Sequence, residues 1–319
     1  MQFSKNDYKL FEQLVALSQP QLHKLMSQFL EKKYKTVVTT EDYTYAIGDI
    51  PIALVAHMDT VFKFPVHDLY YDSNKYVFWS PDGLGADDRA GVFAILQILK
   101  TGLRPSIILT TDEEMGGMGA SALVLDHPNC PISGLKYMIQ LDRRGEDDAV
   151  FYDCITEDFQ QYVTNFGFSK ALGSFSDISF LMPEWDICGV NLSIGYYDEH
   201  TYQEHLRVDH LYATIHKVIN MLRAEEIPDF KFEEQPLARK FKTIFNKEVD
   251  SFGVKCHGCG LYFEDYETIP VKGEDGITKF YCPDCIASKV EWCHSCGEAY
   301  EITNIKDGLC KDCAEAKNE

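Results

Sequence analysis

Acids and histidines gather in five short segments of this chain, and each segment follows an apolar run or opens a helical one. His57-Met58-Asp59 follows the run 52–56. Residues two apart on an extended chain face the same side. Asp59 can therefore hydrogen-bond the His57 imidazole and set its tautomer, as outer carboxylates do for metal-bound histidines. The segment 85–91, Gly-Ala-Asp-Asp-Arg-Ala-Gly, places the carboxylates of Asp87 and Asp88 side by side among small residues. Adjacent carboxylates are costly unless a cation neutralises them. Asp112-Glu113-Glu114 follows the run 106–110, Asp142 ends the run 136–141, and His200 follows a run ending at Ile194, with Glu204 four residues on. Any one of these pieces alone is more often a helix cap or a solvated turn than a metal ligand. Together they make an oxygen and nitrogen donor set, at the strand ends of one sheet, suited to zinc.

A second set of donors lies near the C-terminus. Eight of the eleven cysteines form four Cys-x-x-Cys pairs: Cys256/Cys259, Cys282/Cys285, Cys293/Cys296 and Cys310/Cys313. The N-terminal residues, with Lys5, Asp7 and Lys9, have no apolar signal core, so a cytoplasmic location is expected. In that setting paired cysteines read as metal ligands rather than disulfides. The first two pairs and the last two form tandem zinc ribbons, each holding one structural zinc on four thiolates. So small a segment can hardly build a core, and metal supplies much of its folding energy.

The elements between these segments alternate. Helical spacing marks 8–17 and 22–29, and 35–39 with 43–47 reads as a hairpin. Apolar runs at 52–56, 106–110, 136–141 and 188–194 read as strands. Between and after them, 90–99, 117–125, 159–166, 176–182 and 207–223 read as helices. The fold expected is α/β, a mostly parallel sheet flanked by helices, whose ligands bind at the carboxyl ends of the strands. Asp147-Asp148 reads as a solvated loop. His205, His210 and His216 read as ordinary surface or core residues. His200 with Glu204-His205 is one residue too long for an inverted zinc-helix motif. Domain boundaries are expected at 1–225 for the catalytic domain, 226–254 for a polar linker with one helix, and 255–319 for the ribbons.

The order His-x-Asp, Gly-x-Asp-Asp-x-x-Gly, Glu-Glu, Asp, His-x-x-x-Glu resembles the co-catalytic zinc metallopeptidases. That group includes peptidase T, bacterial leucyl aminopeptidase, and acylases such as acetylornithine deacetylase. Ala-His-Met-Asp-Thr-Val at 56–61 and the segment 85–91 are especially similar to the peptidase T branch. The resemblance spans residues 5–223 and implies a role for each position. His57 and Asp142 bind one zinc, Glu114 and His200 the other, and Asp87 bridges them. Glu113 is the general base, Asp59 orients His57, and the peptide between Asp87 and Asp88 is cis or distorted. Co²⁺ or Mn²⁺ can stand in for the catalytic zincs. Many relatives insert a lid between the fourth and fifth ligand segments. Here only 143–199 separates Asp142 from His200, which implies a zinc-exopeptidase-like domain without a lid.

The function so implied is hydrolysis of a peptide bond in a small peptide, as an aminopeptidase. Two alternatives share the same residues: a deacylase of N-acyl amino acids, and a non-catalytic adaptor that recruits a protein through the ribbons. The net charge of −20 repels nucleic acid, and no dense Lys/Arg block offsets it. Acids also outnumber bases in the ribbons, which disfavours phosphate binding and leaves a protein-docking or purely structural role there. No apolar run approaches the ~20 residues that span a bilayer.

Overall fold

The computed structural model describes residues 3–173, 175–234, 254–258, 262–263, 269–272, 278–281, 285–286, 289–296, 299–306 and 308–316. Cys259, Cys282 and the helix expected within 226–254 lie outside them. The chain divides into two compact units, Met1–Ile244 and Phe245–Glu319. Among the described residues no helix is long and apolar enough to cross a membrane.

In chain order, the first unit runs through α1 (Lys5–Val15), α2 (Gln19–Glu31), β1 (Thr36–Thr39), β2 (Tyr43–Ile47), β3 (Ile50–His57), β4 (Tyr70–Asp72), β5 (Val77–Trp79), α3 (Ala86–Lys100), β6 (Pro105–Thr110) and α4 (Met118–Asp126). It continues through β7 (Tyr137–Arg143), β8 (Asp148–Val150), α5 (Glu157–Thr164), β9 (Ser169–Ala171), α6 (Asp177–Trp185), β10 (Cys188–Ser193), β11 (Tyr196–Tyr197), β12 (His205–Arg207) and α7 (Val208–Leu222). Eight strands form the main sheet in the order β1-β2-β6-β3-β7-β10-β8-β9. Its centre, β6-β3-β7-β10, is parallel. These four strands lack polar alternation because helices cover the sheet, and all six residues of β6 and of β10 are buried. Helix α3, buried along nearly its whole length, lies against β3 and β7 with α1 and α7 beside it. Helices α4 and α6 pack on each other, and α6 also meets β10 and β3.

A smaller sheet, β11-β12-β5-β4, flanks the His200 loop. Its strands of two or three residues are too short to leave a period in the sequence. Asp148, expected in a solvated loop, instead starts β8 and pairs with Ser169 of β9. Segment 143–199 is spent on β8, α5, β9, α6, β10 and β11, which leaves no separate lid. The stretch 226–234, expected to begin a linker, lies on the first unit. Ile227, Phe230 and Phe232 pack on its core, and Thr156 Oγ1 donates to Lys231 O and accepts from Glu233 N.

Asp7 ties α1 to α3. One carboxylate oxygen accepts from the Ser4 amide at 3.0 Å and the Ser4 hydroxyl at 2.6 Å. The other accepts from Gln97 Nε2 at 2.7 Å and Lys100 Nζ at 3.1 Å. Burial alone raises the Asp7 pKa, but these donors outweigh it and hold the carboxyl down at about 2, against the usual 3.8. A depressed folded pKa means stability that is present above pH 3.8 and lost as pH falls through about 2. Asp7→Asn should destabilise the metal-free protein by about 1–3 kcal/mol at pH 7. In urea unfolding that difference should close as the pH falls from about 4 toward about 2. A difference that persists unchanged across this window would show that the charge of Asp7 contributes nothing.

Candidate metal centre

His57 is the last residue of β3, and Asp142 is the second to last of β7. Glu113 and Glu114 follow β6 after Asp112, whose φ of 53° turns the chain across the strand ends. Asp87 and Asp88 open α3 and are joined by a cis peptide bond. Gly85 enters this turn at φ +62°, which favours glycine. A Cβ on Gly91 would lie 2.3 Å from Leu141 O and 2.4 Å from the Asp88 carboxylate, so the α3 start approaches β7 closely only without a side chain there. His200 lies in the loop between β11 and β12.

These positions converge. Asp87 lies between the two histidines: Oδ1 is 3.1 Å from His57 Nε2, and Oδ2 is 3.3 Å from His200 Nε2. Asp142 Oδ1 is 3.5 Å from His57 Nε2, and Glu114 Oε1 is 3.0 Å from His200 Nε2. Donor atoms of His57, Asp87 and Asp142 all lie within 4.8 Å of one another, as do those of Asp87, Glu114 and His200. Glu113 Oε2 faces the same point, 4.0 Å from His57 Nε2. His57 is 1% exposed, whereas the His200 side chain is 50% exposed, so the cluster opens to solvent on the His200 side.

A second layer holds these groups. Asp59 Oδ1 lies 3.1 Å from His57 Nδ1, which leaves Nε2 facing the cluster. The Asp59 carboxylate also accepts from the amides of Glu113 and Glu114, at 3.1 and 2.9 Å. The Asp88 carboxylate accepts from the amides of His57 and Gly91. Other supports had no role assigned from the sequence. Glu204, 1% exposed, accepts from the amides of Gly85 and Asp87. Asp142 receives Tyr196 Oη at 3.1 Å, Gln140 Nε2 at 3.1 Å and Ser176 Oγ at 3.2 Å, while Asn191 bonds its backbone on both sides. Gln140 carried the one legible signal, since it stands two residues before Asp142 on the same strand face.

The charge balance of the cluster is that of a cation site. Burial pushes Asp142 up to about 7, with Asp87 adding to it, and burial raises Glu113 well above the usual glutamate range. Hydrogen bonds to Asp87 and Glu114 raise His200 to about 11. Burial would raise Asp87 too, but hydrogen bonds from His200 and His57 hold it down. Four carboxylates thus face two imidazoles. Among the described residues, no Lys or Arg side chain is paired with any of them. Burial favours protons on these carboxylates, and a dication can take the place of those protons. The mixed carboxylate and imidazole set fits zinc, cobalt or manganese.

His205, His210 and His216 stay out of the cluster. His205 stacks on Tyr197, His210 Nδ1 lies 2.7 Å from the Tyr197 hydroxyl, and His216 sits beside Tyr212.

In the second unit, Cys293, Cys296, Cys310 and Cys313 bring their sulfur atoms within 4.8 Å of one another. The Cys310 amide donates to Cys293 Sγ at 3.4 Å. Cys256 and Cys285 are buried with Val271 and Tyr281, and the Gly258 amide donates to Cys256 Sγ at 3.3 Å. A Cβ on Gly258 would lie 2.7 Å from Cys285 Sγ, so the Cys256 turn and Cys285 adjoin.

No family model matches the sequence, and no curated protein matches it. The fold does match solved structures. Aminopeptidase PepT from Bacillus cereus superposes with a TM-score of 0.52 and 15% identity, covering 67% of this chain and 96% of that one. A tripeptidase from Staphylococcus aureus gives 0.54 and 14%, over 68% and 97%. A TET aminopeptidase from a marine-sediment Thaumarchaeota archaeon gives 0.55 and 13%, over 70% and 98%. The chain therefore has the α/β fold of these aminopeptidases, with a small cysteine-rich unit after it.

Proposed function

We propose that this protein is a two-zinc metallopeptidase that hydrolyses a peptide bond of a small peptide, acting as an aminopeptidase. The observation that carries this reading is the placement of Asp87. Its two oxygens face two imidazoles, each with a further carboxylate beside it, and Glu113 lies next to the group. The similarity of the fold to proteins named aminopeptidase and tripeptidase supports it. His57 and Asp142 would hold one cation, Glu114 and His200 the other, and Asp87 would serve both. Such cations, when bound, polarise a carbonyl and bring the pKa of water toward neutrality.

The chain's own residues do the rest. Asp59 fixes the His57 ring, and Tyr196, Gln140 and Ser176 fix the Asp142 carboxylate. Glu204 secures the turn that carries Asp87. Glu113, buried beside His57 and Glu114, takes the proton from the attacking water and delivers it to the leaving amine.

The cysteine-rich unit would hold two structural zincs. One would sit on Cys293, Cys296, Cys310 and Cys313, the other on Cys256, Cys259, Cys282 and Cys285. Amides donating to Cys293 and Cys256 support the thiolate form that zinc requires.

A substrate panel with added Zn²⁺, Co²⁺ or Mn²⁺ tests the catalytic reading. Short peptides with a free amine should lose their N-terminal residue, and their N-acetylated counterparts should be resistant. Cleavage confined to N-acyl amino acids would make the protein a deacylase. Turnover of neither class would leave the adaptor reading.

A further inference from the structure

The small sheet β11-β12-β5-β4 buries one face and turns the other outward. Its inner face carries Tyr196, Leu206 and Phe78, all buried, with Tyr71 packed on Phe78. On the outer face four residues stand in register across all four strands. Tyr70 pairs with Trp79, Trp79 with His205, and His205 with Tyr197. The solvent face of an antiparallel sheet is ordinarily polar. Here one row of it is four rings. Tyr70 and Trp79 stack with centroids 4.6 Å apart, and Tyr197 and His205 stack at 5.4 Å. Cross-strand stacking steadies strands this short, but it does not require exposure, and Tyr70 and Trp79 are 46% and 44% exposed. With strands about 4.8 Å apart the row is about 14 Å long. Aromatic surface of this extent is enriched where proteins meet partners.

The charge around the row selects the partner. The outer face of the sheet carries one arginine, Arg207, and Asp209 holds it through Nε at 3.0 Å and Nη2 at 2.6 Å. Arg144 is likewise held by Glu199 at 2.8 Å. At the turn between β4 and β5, Asp72 and Lys75 supply one charge of each sign. Two acids at the β11 and β12 end have no such match. Asp198 lies 3.6 Å from His205 Nδ1. Glu146 lies 3.7 Å from His210 Nε2, whose Nδ1 meets the Tyr197 hydroxyl at 2.7 Å. Both carboxylates are more than half exposed, and among the described residues neither is paired with a Lys or Arg. Ring faces carry negative electrostatic potential, so rings bordered by unmatched carboxylates attract cations.

We propose that this row is a docking platform for a basic segment of a partner protein, whose guanidinium groups lie on the rings while Asp198 and Glu146 meet their charge. The platform is separate from the metal centre. Tyr196, on the opposite face of the same sheet, is the residue that reaches Asp142. The proposal therefore stands whether or not the centre is catalytic.

The test uses the full chain labelled with ¹⁵N and titrated by NMR at pH 8, above the ordinary imidazole pKa. The probe is acetyl-Arg-Gly-Arg-Gly-amide, whose blocked amine keeps it from being an aminopeptidase substrate. Its control carries citrulline, a neutral isostere, in place of both arginines. The arginine peptide should shift the amide signals of Tyr70, Trp79, His205 and Tyr197 saturably and leave the indole signal of Trp185 unmoved. The citrulline peptide should bind about 5- to 30-fold more weakly, as loss of two cation–π contacts at an exposed surface implies.

Two variants separate the rings from the acids. Trp79→Leu and Glu146→Gln, both at exposed side chains, should keep the parental thermal unfolding and each weaken the arginine peptide several-fold. Absence of saturable shifts along the row, equal affinity for the two peptides, or indifference to Trp79→Leu would each overturn the proposal. Shifts along the row that appear with rising protein concentration and no peptide, and that Trp79→Leu abolishes, would assign the row to a second copy of the chain and overturn it as well.

Discussion

Glu113→Gln is expected to lose turnover by about 10²- to 10⁴-fold, the range that a positioned proton-transfer group contributes, while keeping both catalytic cations. The side chain is 7% exposed and its Oε2 lies 4.0 Å from His57 Nε2, within reach of the centre. The amide is nearly isosteric, so metal content and thermal unfolding should match the parent. Loss should fall on kcat with little change in KM, because proton transfer stabilises the transition state rather than the bound substrate. Near-parental kcat in Glu113→Gln would move the proton transfer to another group. Failure of the same variant to retain metal would make Glu113 a ligand.

The second large effect is on metal retention. Asp87→Ala should release both catalytic cations together, since Asp87 approaches both imidazoles, at 3.1 and 3.3 Å. Asp142→Ala should chiefly weaken the site at His57, and Glu114→Ala the site at His200. The losses should exceed the roughly 10- to 100-fold fall in affinity that follows loss of an outer hydrogen-bond partner. Metal content of the dialysed variants, measured against the parent so that the cysteine-bound zinc cancels, reads this directly. If Asp87→Ala lost no more metal than Asp142→Ala, the shared role of Asp87 would be wrong.

Much of this arrangement was readable from particular residues. The run 52–56 has no polar alternation because β3 is covered on both faces, and that marked it as a central strand. His57, Glu113, Glu114, Asp142 and His200 stood out because charge after an apolar strand needs a reason, and Asp87 because it adjoins Asp88 among small residues at a helix start. The supports of Asp142 did not stand out. Ser176, Asn191 and Tyr196 come from three separate segments, and their hydrogen bonds exist only once β7, β10, β11 and α6 are assembled. Glu204 was visible but had no assigned task, because its partners, the amides of Gly85 and Asp87, are more than a hundred positions away. The stretch 226–234 was misread as linker for a similar reason. Three apolar residues among acids and a proline look like solvated chain until Thr156 and the core supply their contacts.

Crystals of the protein grown with zinc, with diffraction recorded on both sides of the zinc absorption edge, test the central claim most directly. Two anomalous peaks are expected in the first unit, ~3.5–4 Å apart. One should touch His57 and Asp142, the other Glu114 and His200, with Asp87 reaching both. Ordered side chains at these five positions with one peak, or with none, would contradict a two-zinc centre.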